Sequence, residues 1–155
     1  MKANSIIAVL LLLVGLVSCS PDGTCYSEFK AIDNAGWEKS KPLLFHLPDS
    51  LPVATCDIKL SLRHDNYYPY RNLWLTVDYV AGGKAVERES VNVELADKYG
   101  NWYGSGLGKL LQQSVVLRRS VPVGKYEAVI INHNMRCDTV VGISDVGIML
   151  SVQGK

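Results

Sequence analysis

The chain reads as all-β: one antiparallel β-sandwich or jelly-roll-like domain of about eight strands. Three observations predict it. Apolar and polar residues alternate with period two along most of the chain, as in strands buried on one face. Glycine, proline and asparagine clusters separate these runs. No convincing amphipathic helix interrupts them.

The first element lies outside that domain. Lys2 is followed by an apolar run from Ile6 to Val17, and the run ends in Leu16-Val17-Ser18-Cys19. Twelve residues are too few for a helix to span a bilayer, which takes about 20. Residues 1–18 therefore read as an export signal. The ending resembles the bacterial lipobox, in which the cysteine thiol is acylated and the signal is cut before it. Lipidation is expected at Cys19, with residues 19–24 as the lipidated N-terminus and tether and 25–155 as the β-sandwich domain. The plainer alternative is a secretory signal with a chance cysteine.

Beyond Ser20 to Thr24, a loop-like stretch, the strands follow in order. Short candidates are Glu28 to Ile32 and Leu43 to Leu47. Cys56, Ile58, Leu60 and Leu62 then share one face, opposite Asp57, Lys59, Ser61 and Arg63. Leu73, Leu75, Val77 and Tyr79 do the same against Asn72, Trp74, Thr76 and Asp78. Gly82-Gly83 predicts a hairpin turn, and Val91, Val93 and Leu95 alternate beyond it. Leu107 to Gln113 is the one place for a helical turn. Val115 to Arg119, Tyr126 to Asn132 and the run Val146, Ile148, Leu150, Val152 complete the set.

Removing residues 1–18 from 155 leaves 137, enough for one domain with a real core. The signal carries one charge, Lys2, so the 16 Lys plus Arg fall to 15 against 15 Asp plus Glu. A neutral body lacks the basic field that nucleic acid or anionic lipid requires, so acyl chains rather than charge must hold it to a membrane. Cys25, Cys56 and Cys137 remain after Cys19, with no CxxC spacing for zinc or redox work. Either Cys56 and Cys137 form a disulfide or all three are free thiols.

No constellation of catalytic residues emerges. His46, His64 and His133 lack partners at metal-ligand spacing, and Gly104-Ser105-Gly106-Leu107-Gly108 fits neither a nucleophile elbow nor a P-loop. Asp97 and Asp145 are the carboxylates best suited to a structural calcium, but no dense Asp/Asn loop supports one. No metal and no cofactor is expected. The aromatics are more informative: Tyr67, Tyr68, Tyr70 and Trp74 gather around Pro69, and Trp102-Tyr103 follow in a glycine-rich loop. Large rigid rings with polar edges suit a protein partner or a sugar ring, whereas the structural alternative packs Trp74 between sheets.

Several segments together resemble the GldH family of gliding-motility lipoproteins. They are Tyr26-Ser27-Glu28-Phe29 followed by Trp37, Tyr70-Arg71-Asn72-Leu73-Trp74-Leu75, Glu94-Leu95-Ala96-Asp97 leading to Gly100-Asn101-Trp102-Tyr103-Gly104-Ser105-Gly106, and Gly142-Ile143-Ser144-Asp145-Val146-Gly147-Ile148. Lys109 departs from the acid expected after the glycine loop, which counts against cation binding there. The resemblance implies a lipid-anchored envelope component of Bacteroidota, linked to gliding motility and type IX secretion, and it supplies no catalytic residues. The expected function is a non-enzymatic, membrane-tethered protein whose Tyr70, Arg71, Trp74, Trp102 and Tyr103 meet other envelope lipoproteins or motility and secretion proteins. The alternative is a carbohydrate-binding lipoprotein that holds glycan with the same aromatics.

Overall fold

The computed structural model describes residues 23–152. The expected signal and Cys19 lie outside the described residues. Eleven strands, all paired antiparallel, form among those described. They are β1 (Thr24–Ala31), β2 (Trp37–Glu38), β3 (Leu43–His46), β4 (Thr55–His64), β5 (Asn72–Ala81), β6 (Lys84–Glu94), β7 (Ser105–Leu107), β8 (Leu110–Pro122), β9 (Ala128–His133), β10 (Thr139–Val140) and β11 (Ile143–Ser151). A five-stranded sheet runs β1-β11-β4-β8-β7, a four-stranded sheet runs β3-β9-β5-β6, and β10-β2 is a separate ribbon. The all-β antiparallel expectation holds, but the strands number eleven rather than about eight, β2, β7 and β10 being two or three residues long.

The period-two runs bury the faces the alternation assigns. Ile58, Leu60 and Leu62 of β4 and Val146, Ile148 and Leu150 of β11 join Leu73, Leu75, Val77 and Tyr79 of β5 and Val129 and Ile131 of β9 in one core. Both large sheets thus give their apolar faces to the same cluster. Among tryptophans it is Trp37, not Trp74, that fills this core; its indole N–H donates to the Lys41 carbonyl at 3.0 Å. The Gly82-Gly83 turn forms as expected, both residues having positive φ between paired Ala81 and Lys84.

Two expectations are corrected. Leu107 to Gln113 is not helical: Leu107 pairs with Leu110, and the segment belongs to a β7–β8 hairpin. Its alternation continues into β8, where β4 satisfies the backbone from Leu111 to Val116. Strand β6 begins at Lys84 rather than Val91, because its inward positions there carry Glu87 and Glu89. The Arg118 guanidinium from β8 meets both carboxylates, at 3.4 and 3.2 Å, and lies 4.8 Å from the Tyr79 ring. The Tyr126 hydroxyl also donates to Glu87. These ion pairs join one margin of the two sheets. At the other margin the Tyr26 hydroxyl of β1 donates to the His46 carbonyl of β3, and burial beside Glu28 pushes its pKa up to about 12.

Cys25, Cys56 and Cys137, the described cysteines, are free thiols. The Cys56–Cys137 disulfide does not form, for a topological reason. Cys56 stands at the start of β4, whereas the Cys137 sulfur accepts a bond from the Tyr70 hydroxyl, beyond the strand's far end.

Candidate functional site: two grooves at the far pole

Strand register fixes which residues share an end of the domain. Thr24, where β1 begins, pairs with Ser151, and Ser151 pairs with Asp57 near the start of β4. The described chain therefore enters and leaves at one pole. Strand β4 spans ten residues from Thr55 to His64, about 30 Å end to end at the usual strand rise. The aromatic residues collect at that far pole.

The link from β4 to β5 holds them there. The Tyr67 amide donates to the Asp65 carboxylate at 2.8 Å, making a tight turn after His64. Tyr68 is buried, and its hydroxyl donates to the Asn72 carbonyl at 2.7 Å, tying the turn to the first residue of β5. Gly142 lies against Tyr68 with φ +84°; a Cβ there would stand 2.6 Å from the Tyr68 Cα. Only glycine allows this approach. Tyr70 meets Tyr68 edge-to-face at 5.7 Å. The Arg71 carbonyl accepts from the amides of Leu95 and Ala96, joining the turn to the end of β6.

Two grooves flank this segment. The first, of about 280 Å³, is lined by Tyr70, Trp74, Asn134, Met135, Arg136 and Cys137. Trp74 projects from the outer face of β5 and is 43% exposed; Tyr70 is 39% exposed. The Trp74 carbonyl accepts from the Asn134 amide at 2.7 Å, fixing the loop that carries Met135. The second groove, of about 480 Å³, takes in Arg71, Asn72, Asn92, Glu94, Tyr99 and Tyr103. Its outer wall is the loop after β6. There the Asp97 carboxylate accepts from the Tyr99 amide and from both the amide and side chain of Asn101, at 2.7 to 2.9 Å. Those bonds hold the carboxyl below its usual range.

The five residues expected to form one face are thus divided. Tyr70 and Trp74 line the apolar groove; Arg71 and Tyr103 line the polar one. Trp102 is half-buried, its ring 4.7 Å from the buried His64 imidazole, so it supports the loop from beneath. Each groove is backed by a buried histidine. His64 underlies Trp102, and His133 meets the Trp37 ring edge at 5.5 Å just before Asn134. Burial lowers the pKa of both, and the nearby Lys39 charge adds to the effect at His133. Both therefore favour the neutral form.

Met135, Asn92, Glu94 and Tyr99 were not expected at the site. Met135 carries no local signal, while Asn92 and Glu94 sit on the outer face of a recognised strand and needed only the correct register. Among the described residues no three His, Cys, Asp or Glu side chains are grouped to hold a metal, and Asp97 and Asp145 share no such cluster. Nor is any helix among them long and apolar enough to cross a membrane.

The comparisons with known proteins agree with one another. A family profile described as GldH lipoprotein matches residues 24–150. The chain is similar to the gliding motility lipoprotein GldH of Flavobacterium johnsoniae, 26% identical over 147 residues that cover 90% of this chain and 91% of that protein. It is similar also to the gliding motility lipoprotein GldH homolog of Christiangramia forsetii, 24% identical over 157 residues that cover 95% of each.

Proposed function

We propose that this chain, which belongs to the GldH lipoprotein family, is a non-enzymatic component of the bacterial cell envelope, moored by acyl chains on Cys19 and binding a protein partner at its far pole. In this reading residues 1–18 are the cleaved signal, 19–24 the lipidated tether, and 25–155 a β-sandwich domain. The sandwich reading is supported by the single core that the two large sheets share. Partners are drawn from other envelope lipoproteins or from the gliding-motility and type IX secretion machinery, as the names of the two relatives suggest for motility.

One observation carries the proposal. The Tyr70, Trp74 and Met135 patch stands at the pole opposite the point where the described chain begins. A tether from Cys19 to Gly23 reaches at most about 17 Å, and the domain adds about 30 Å, so the patch is held well clear of the bilayer. Exposed aromatic and arginine side chains grouped around a groove with the half-buried Met135 have the composition of an interface anchor. Attachment needs no charged membrane patch, which a net-neutral body lacks.

The test uses the full-length protein in its own cells. Cys19→Ala should move it from the membrane to the soluble fraction. Trp74→Ala should stay membrane-bound and folded yet lose co-purifying envelope proteins. Undiminished membrane binding of the first variant, or undiminished co-purification with the second, overturns the corresponding half of the proposal.

A further inference from the structure

We propose that the polar groove between the end of β6 and the Asp97–Asn101 loop is a saccharide-binding site. This goes beyond the partner reading and uses none of the Tyr70, Trp74 and Met135 patch that carries it. The groove is a separate concavity on the other side of the Tyr70–Asn72 segment, and its volume of about 480 Å³ lies in the range of small-molecule sites.

Its chemistry is selective. Arg71 and Lys98 balance Glu94 and Asp97, so the groove has no formal net charge to draw a phosphate or a nucleic-acid backbone. Asp97 is already committed to holding its loop. The Arg71 guanidinium and the Glu94 carboxylate, by contrast, make no side-chain hydrogen bond or ion pair among the described residues although both line the groove. Asn72 donates to the Asn92 carbonyl oxygen at 2.7 Å. That one bond aligns the two side-chain amides and leaves the Asn92 Nδ2 group and the Asn72 Oδ1 oxygen open to a ligand.

Planar amide, carboxylate and guanidinium groups side by side present forked donors and acceptors. Vicinal hydroxyls of a sugar ring, each able to donate and accept, match such forks. The remaining lining is Ala96 and two tyrosines. Tyr99 is 77% exposed at the loop tip and Tyr103 is 41% exposed. A sugar's apolar C–H face stacks on rings of this kind, while its hydroxyls turn to the polar floor. A wholly apolar ligand would leave those polar groups unpaired, and a strongly charged one would meet a like charge on either side.

The experiment uses full-length protein in a detergent without a sugar headgroup. Probes are neutral oligomers of β-1,4-, β-1,3- and α-1,4-linked glucose and chito-oligosaccharides, read by saturation-transfer NMR and calorimetry. At least one should bind at millimolar concentration or below. Asn92→Ala and Tyr99→Ala should each weaken it by at least about tenfold, and Leu44→Ala, at an exposed position lining neither groove, should leave it unchanged. Tyr99 is on an exposed loop tip, so its variant remains informative if Asn92→Ala fails to fold. No binding by any probe, or binding that survives Tyr99→Ala, overturns the proposal. Either result is independent of whether Trp74→Ala loses its protein partner.

Discussion

The two grooves begin at adjacent residues and differ in nearly every property. Tyr70 turns toward Trp74 and Met135, while Arg71 turns toward Asn92 and Tyr99. Successive side chains of an extended segment point to opposite sides, so one aromatic-rich stretch feeds two sites. The apolar groove rests on strand β5 and the loop after β9; the polar groove rests on the β6 edge and a loop held by one carboxylate. The lesson is that closeness in sequence does not make one surface. What the two grooves share is their support: the Tyr68 turn, the buried base of β5, and a neutral histidine behind each.

Removing the shared base should give the largest effect. Leu73 is fully buried between the grooves, and Leu73→Ala should cost about 2–5 kcal/mol in a denaturant melt while impairing both sites together. Loss at only one groove would mean that they are not built on a common base.

Acid should come next. The folded-state pKa of His64 and of His133 is lowered, so the unfolded chain binds more protons just below its own value of roughly 6.5. Stability is therefore full above that pH and falls as pH drops toward the lowered folded values. The thermal midpoint should be lower at pH 5.5 than at pH 7.5. A flat or rising midpoint across that interval would contradict the neutral-histidine account.

The smallest global effect should come from Asp97→Ala, which separates the grooves. Losing the carboxylate frees the Tyr99 and Asn101 amides, so hydrogen exchange should quicken in residues 97–103 while exchange around Trp74 and overall melting stay nearly unchanged. Faster exchange around Met135 as well would show that the two sites are coupled.

Much of this was legible in the sequence, and the misses have physical causes. Period two located the core strands because Ile58, Leu60, Leu62 and their counterparts are apolar on one face only. The family resemblance read from the scattered motifs agrees with the profile match over residues 24–150. Strand β6 was cut short because Glu87 and Glu89 point inward, where Arg118 and two tyrosines compensate them. The polar groove was hidden by a single bulge. Counting from the Ala81–Lys84 turn would set Asn72 opposite Val93, whereas the shift between Tyr79 and Val80 pairs it with Glu94 and brings Asn92 within reach. Trp102 offered no local sign that its ring would settle on His64, because that contact joins residues brought together only by the fold.

The central claim is that the far pole, not the pole where the described chain starts, meets protein partners. Its most direct test is in-cell photocrosslinking of the full-length protein with p-benzoylphenylalanine in place of either Trp74 or Leu44. Leu44 is an equally exposed apolar residue, beside the groove lined by His46, Asp49 and Val80. The account predicts a crosslinked envelope protein from position 74 that is absent from position 44. The same adduct from both positions, or one from position 44 alone, would contradict it.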